Sequence, residues 1–411
     1  MKRKASTVAS FAAVATIAAL VLLSASSAVL AQSTGPRDLA ELKQEAQRRA
    51  DRNLPPVGGV KAEDMREALS NINNLEPDTW AAAFVRIGDR YVEKAKSLQA
   101  SAPKEAAEAY KHAWEVYNTA RWPTENSPGK KGAYVKALDA FAAYGRLIDP
   151  PLEIVRIPFE GKEIIGYLRL PPNVRPAPLL MGISGLDTRK EDVAATSDGF
   201  MRRGIAVLAL DMPGTGQAPI KVDVGAERMY TKVLDYVQTR KEIDAKRVVV
   251  RGQSWSGYWA AILAYTERAR LRGAVVHGVG IHGYFQPEFQ RTGLLTREYL
   301  FDLFPARSAI YEVKTLDEFL SYGPRMSLQT QGWLDKPAAP MLLVNGEKDT
   351  QQPISDLYLM MKHGDPKDAW VNPAGGHMGR SEQWPQRRVL DEVVLPWIER
   401  KLAAPVASIS K

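Results

Sequence analysis

The sequence predicts an α/β protein in which a mostly parallel sheet, covered by helices on both faces, follows a separate α-helical domain. Two observations carry this. After residue 150, short apolar runs (LLMGIS, IAVLALD, RVVVRG, GAVVHGV, MLLVNG and AWVNP) alternate with helix-length segments, the pattern of strands buried on both faces of a parallel sheet. Before residue 150, strand signals are few and apolar residues recur three and four apart, the helical period.

The chain opens MKRKASTVASFAAVATIAALVLLSASSAVLAQ. Lys2, Arg3 and Lys4 form a basic start, residues 8–23 an apolar run, and Val29-Leu30-Ala31 a small-residue cleavage pattern, which together read as a secretory signal peptide over 1–31. The apolar run is short against the roughly 20 residues that span a bilayer. The expectation is therefore an exported, periplasmic or secreted protein that begins near Gln32 and keeps no stable membrane insertion. Loss of Lys2, Arg3 and Lys4 lowers the formal net charge from +8 to +5. No basic block with interleaved aromatics remains to suggest nucleic-acid binding. Cysteine is absent, which excludes disulfides, thiolate metal sites and a cysteine nucleophile together.

Residues 32–149 form the helical domain. AAAFVRIGDRYVEKAKSLQ, PKEAAEAYKHAWEVYNTARW and, after the break PTENSPGKKG, GAYVKALDAFAAYGRLI all carry the helical period. Their alternation of Ala with Tyr and Trp suits antiparallel helix packing. At Asp149-Pro150-Pro151 the pattern changes. LEIVRIPFEGKEIIGYLRLPPN reads as two strands around a Glu160-Gly161 turn. The α/β domain then runs over 150–403, closing on an amphipathic helix around 386–402, with 404–411 as a tail.

The chemistry concentrates after RVVVRG, in Gly252-Gln253-Ser254-Trp255-Ser256-Gly257. A nucleophile elbow is a strained strand-to-helix turn that needs small residues two before and two or three after its serine. Ser254 meets that demand, with Gly252 behind and Ser256 and Gly257 ahead. Ser256 does not, because Tyr258 would stand two ahead of it. Here Ser256 occupies the place of the second glycine of G-x-S-x-G.

Asp349 follows the run MLLVNG, and His377 lies in the glycine-rich loop AGGHMG after AWVNP. Serine, aspartate and histidine in that chain order, each after a strand, is the arrangement of the α/β-hydrolase fold. In this reading His377 takes the Ser254 proton and Asp349 orients and stabilises the imidazole. Glu347 is a rival acid, and the other histidines (His112, His277, His282 and His363) lack a comparable loop. An oxyanion hole needs two backbone N–H groups. Trp255 supplies one, and the loop Ser184-Gly185-Leu186-Asp187 the other, from Leu186 first and Gly185 next. Tyr258, Tyr284 and Met378 are candidate substrate-binding side chains. Asp211, in DMPGTG, reads as a turn residue. No phosphate loop or metal-ligand spacing is present, so neither metal nor cofactor is expected.

Together GQSWSG, GISGLDTRKED, DMPGTG, NGEKD and GGHMG resemble the α/β-hydrolases. FEGKEIIGYLRLPPN and EAAEAYKHAWEVYNTARWP are similar to one branch, the fermentation-respiration-switch-type esterases and 2,6-dihydroxypseudooxynicotine hydrolases. The resemblance runs from about 60 to 400 and implies an N-terminal helical lid over the hydrolase core. A small-molecule pocket is expected at the C-terminal ends of the strands, between core and helical domain, where α/β sheets place ligands. It implies a serine hydrolase acting on an ester or related acyl substrate. Carbon-carbon bond hydrolysis, or a catalytically silent small-molecule-binding homologue, is the alternative. Homo-oligomerisation is left open.

Overall fold

In the computed structural model, which describes residues 35–403, the chain starts with helices α1 (Leu39–Asp51), α2 (Ala62–Ser70), α3 (Pro77–Leu98), α4 (Pro103–Arg121) and α5 (Pro128–Leu147). The expected signal segment 1–31 and the tail 404–411 lie outside the described residues. Proline opens the first turn of α3, α4 and α5, where its missing N–H costs nothing and its fixed φ suits the helix. The helix α1 begins on a capping box between Asp38 and Glu41. Small residues let α3, α4 and α5 approach closely. A Cβ at Gly88 would stand 2.4 Å from the Tyr117 ring, and Ala106, Ala113 and Ala120 are fully buried.

An eight-stranded sheet follows: β1 (Glu153–Phe159), β2 (Lys162–Arg169), β3 (Ala177–Ile183), β4 (Ala206–Leu210), β5 (Ile243–Gln253), β6 (Gly273–His277), β7 (Met341–Gly346) and β8 (Asp368–Asn372). Its order is β1-β2-β4-β3-β5-β6-β7-β8. The hairpin β1-β2 turns through Glu160 and Gly161, both at positive φ, and β2 pairs antiparallel with β4. All later pairs are parallel. In the edge strand β1, Val155, Ile157 and Phe159 alternate with exposed residues. Every residue of β3, β4, β6 and β7 is buried. The difference follows from position, since a central strand is covered on both faces and an edge strand on one.

The cover on one face includes α7 (Arg228–Thr239) and α8 (Gly257–Thr266), the last with nine of its ten residues buried, whereas α6 (Lys190–Ala195) lies on the other, with Val193 against Gly182 of β3 and beside Ala209 of β4. There too, Leu180, Val249, Val275 and Leu342 pack against Val394, Trp397 and Ile398 of the C-terminal helical segment. The helical layer joins the sheet where Phe141 stacks on Tyr167 of β2, ring centroids 5.5 Å apart. Residues from Arg37 onward form one compact unit. Between β6 and β7 the chain departs from simple alternation. Three short helices, Pro287–Gly293, Leu303–Ala309 and Leu316–Tyr322, form an insertion. No helix among the described residues is long and apolar enough to cross a membrane.

Candidate active site

The strand β5 ends at Gln253, a single 3-10 turn covers Ser254–Ser256, and α8 begins at Gly257. Ser254 sits at φ 56°, a left-handed conformation that costs a residue with a side chain about 1–3 kcal/mol. Its surroundings hold it there. A Cβ at residue 252 would stand 1.7 Å from the Ser256 carbonyl oxygen, and one at residue 257 would stand 1.8 Å from the Gly278 carbonyl oxygen. Both glycines are therefore required by close approach. Ser256 is not so constrained: at φ −74° its backbone is ordinary helical, so serine fits where the commoner elbow has glycine. Its buried hydroxyl donates to the Ser184 carbonyl.

The Ser254 Oγ lies 2.7 Å from His377 Nε2, and His377 Nδ1 lies 2.9 Å from Asp349 Oδ2. The other Asp349 oxygen accepts the N–H groups of Gln351 and Gln352 at 2.8 and 3.1 Å. Burial works to raise the Asp349 pKa, but the charge and hydrogen bond of His377 and those two N–H groups outweigh it and hold the carboxyl below its ordinary value. A carboxylate only accepts, so Nδ1 carries the imidazole proton and Nε2 is left to accept from the serine hydroxyl. Glu347 is exposed and takes the Tyr358 hydroxyl at 2.6 Å, away from this series.

The histidine loop is anchored on β7. A Cβ at Gly346 would stand 2.2 Å from the Gly375 and Gly376 carbonyl oxygens, so only glycine lets the loop lie that close. Asn345 Oδ1 accepts the Met378 N–H at 3.2 Å, and Asn372 Nδ2 donates to the Gly379 carbonyl at 2.8 Å. Beneath, His277 is fully buried, with Arg251 Nη2 3.0 Å from its Nδ1 and the Met378 carbonyl 3.1 Å from its Nε2. Burial, then the neighbouring Arg251 charge, push the His277 pKa well below its ordinary value. The neutral ring thus accepts from Arg251 and donates to the loop. Elsewhere His112 meets Glu115, His282 meets Ser327 and His363 meets Asp335.

Of the backbone groups expected to bind an oxyanion, Trp255 and Leu186 line the cavity at Ser254, and among the described residues no acceptor is found for either N–H. Gly185 is a correction: its N–H is held by Thr188 Oγ1 at 2.8 Å, which leaves it unavailable. Gln253 Nε2 also reaches Thr188 Oγ1, at 3.0 Å, so the strand before the elbow helps brace this loop. Asp211 serves the turn. It accepts the backbone N–H of Lys190 and of Gln217 and pairs with the Lys190 ammonium at 3.1 Å.

The cavity is small, about 10 Å³, room for roughly one water. Tyr284 lines it as expected. Tyr258 and Met378 do not: Tyr258 is buried among Trp255, Trp259 and Phe285, and Met378 turns at φ 60° into the bonds that anchor its loop. Four further wall residues, Tyr299, Arg307, Gln351 and Gln352, escaped the sequence reading. Gln352 follows Asp349 closely enough to have been considered, and its Nε2 donates to the Ser254 carbonyl at 3.1 Å. Tyr299 and Arg307 lie in an insertion without periodicity or motif.

The expected pocket between core and helical layer is also corrected. No residue of the five N-terminal helices lines the cavity; the helices brace its wall from behind. The Trp122 ring lies 5.1 Å from Tyr299, its Nε1 donates to Asp187 at 3.2 Å, and Lys130 pairs with Asp302 at 2.8 Å. A larger open groove of about 780 Å³ runs beside Lys104, Tyr144 and Arg169, away from Ser254.

A sheet of this order, with the serine-bearing turn after β5 and partners after β7 and β8, is the architecture of an α/β-hydrolase. Within that class the chain belongs to the FrsA-like esterase family, whose model matches residues 67–374, and the protein is accordingly a hydrolase. Esterase FrsA of Vibrio vulnificus strain YJ016 is 26% identical over 298 residues, 70% of this chain and 69% of that one. Hydrolyase poxO of Penicillium oxalicum is 29% identical over 238 residues, 52% of this chain and 55% of its own. Among solved structures, 2,6-dihydroxy-pseudo-oxynicotine hydrolase is similar in fold, with a TM-score of 0.70 at 20% identity over 84% of this chain and 94% of that one. AbyA5 is likewise similar in fold, with a TM-score of 0.70 at 22% identity over 89% of this chain and 95% of its own.

Proposed function

We propose that the protein is an exported serine hydrolase that cleaves an ester or related acyl compound through an acyl-enzyme on Ser254. The observation that carries the proposal is the hydrogen-bonded series Ser254–His377–Asp349, 2.7 and 2.9 Å, with its serine at positive φ on the turn after β5. As Ser254 Oγ attacks the acyl carbonyl, His377 Nε2 takes the hydroxyl proton, and Asp349 stabilises the imidazolium through Nδ1–H. The oxyanion of the tetrahedral intermediate accepts from Trp255 and Leu186 N–H. The imidazolium then protonates the leaving group. In the second half His377 deprotonates a water that attacks the acyl-enzyme, which releases the acid and regenerates Ser254. Export rests on the signal pattern of residues 1–31.

Fluorophosphonate labelling tests the nucleophile. Wild type and Ser256→Ala label, and Ser254→Ala does not. No label on wild type, or label that persists in Ser254→Ala, sinks the proposal. A panel of esters, thioesters, amides and 1,3-diketones identifies the bond, with turnover confined to the diketones marking carbon-carbon hydrolysis. The N-terminus of protein recovered from outside the cytoplasm tests cleavage near Gln32.

A further inference from the structure

Seven lysine and arginine side chains are buried among the described residues. Five of them meet a carboxylate. Arg121 and Arg189 meet Glu125, Lys130 meets Asp302, Arg169 meets Asp198, and Lys190 meets Asp211. Arg251 is hydrogen-bonded to His277, under the histidine loop. The seventh, Arg307, meets no carboxylate and is the one that lines the cavity at Ser254. It is 2% exposed, its Nε has no partner, and its one hydrogen bond is a long one, 3.3 Å from Nη1 to Gln290 Oε1.

Its neighbours cannot act as counter-ions. The guanidinium lies 5.7 Å from the Tyr284 ring centre. Tyr299 and Tyr311 are near enough to feel its charge, and burial keeps both phenols protonated by raising their pKa well above the ordinary value. Asp187, whose charge also reaches Tyr299, accepts from Trp122 and forms no ion pair with Arg307. A guanidinium buried without an anion is strongly unfavourable. The same arginine lines the cavity that holds Ser254, His377 and the two oxyanion-facing residues.

We propose that Arg307 receives a carboxylate of the substrate, so that this hydrolase acts on acyl compounds bearing an acidic group within a few bonds of the scissile carbonyl. The planar fork of guanidinium N–H groups matches the two oxygens of a carboxylate, and because Arg307 and Ser254 line one cavity, the charge would stand close to the reacting carbon. The carboxylate takes no part in bond making, and the hydrolysis consumes one water and yields the acid and the leaving group. The proposal rests on Ser254 as the nucleophile, and it adds the substrate class.

The test pairs each acid with its uncharged methyl ester. Mono-p-nitrophenyl succinate carries the carboxylate on the acyl side, and acetoxyacetate carries it on the leaving side. Wild type should favour at least one acid over its methyl ester by about thirtyfold or more in kcat/KM, the scale of a buried hydrogen-bonded charge pair. That ratio should collapse in Arg307→Gln and recover in part in Arg307→Lys. Equal or better turnover of both methyl esters by wild type, or a ratio unmoved in Arg307→Gln, overturns the proposal. A binding readout separates this from the nucleophile. Succinate and acetoxyacetate are titrated into Ser254→Ala protein by tryptophan fluorescence, with and without Arg307→Gln. Binding that depends on Arg307 supports the site even where fluorophosphonate labelling fails. Absence of binding by both acids refutes it while leaving the labelling of Ser254 intact.

Discussion

Ser256→Ala removes one hydroxyl and tests what the departure from the glycine elbow does. The hydroxyl and the Ser184 carbonyl it reaches belong to residues with 0% exposure, so alanine leaves a buried acceptor without its donor. That costs about 1–3 kcal/mol. At roughly 2 cal/mol/K of unfolding entropy per residue, the unit beyond Arg37 should lose about 1–4 °C in Tm. The catalytic effect comes through Leu186. Its loop keeps five other ties, from Ser184 N–H to the Leu210 carbonyl, from Gly185 N–H to Thr188, from Gln253 to Thr188, from Arg189 to the Leu186 carbonyl and from Trp122 to Asp187. Outright loss of an oxyanion donor costs about 10²–10³ in kcat. With one tie of six gone, a fall of about tenfold or less is expected, KM changing little. The assay is kcat on a short p-nitrophenyl ester beside a thermal melt and fluorophosphonate labelling. Unchanged kcat and Tm would refute the tether. A loss as deep as in Ser254→Ala, with the label gone, would return the nucleophile to question.

Three further outcomes follow from the geometry. Gly252→Ala places a Cβ 1.7 Å from the Ser256 carbonyl oxygen, so its melt should show destabilisation of more than about 4 kcal/mol or no soluble protein; a wild-type melt would contradict the close approach. Asp349→Asn, whose amide can donate to Nδ1 and so favour the other imidazole tautomer, should lower kcat about 10⁴-fold with the fold intact, read by steady-state kinetics beside circular dichroism. The pH dependence has a definite sign. The folded pKa of Asp349 lies below its ordinary value, so its stabilising contribution is present above the unfolded pKa of about 3.9 and disappears as pH falls through the lower folded value. Urea midpoints from pH 6 downward should therefore fall less steeply in acid for Asp349→Asn than for wild type, and parallel curves would remove Asp349 as a source of acid sensitivity.

The sheet, the helical start and the candidate residues Ser254, His377 and Asp349 were legible in the chain because each has a local cause. Apolar runs fully buried on two faces leave a continuous hydrophobic signature, Ala-spaced aromatics leave a helical period, and a tight turn leaves glycines on either side of its serine. Other features have no local cause. Whether Gly185 N–H is free depends on Thr188 folding back on it, and whether Tyr258 reaches the cavity depends on three aromatic side chains from two segments. The wall formed by Tyr299 and Arg307 comes from an insertion between β6 and β7 that carries no period. Its support by Trp122 and Lys130 crosses more than 170 residues of chain. The sequence by itself determined the elbow, through the steric demand for Gly252 and for small residues after Ser254. Only the tertiary structure decided that Ser256 ties the Leu186 loop and that Arg307 is buried without an anion beside Ser254, because hydrogen-bond satisfaction and charge pairing belong to side chains brought together from distant segments.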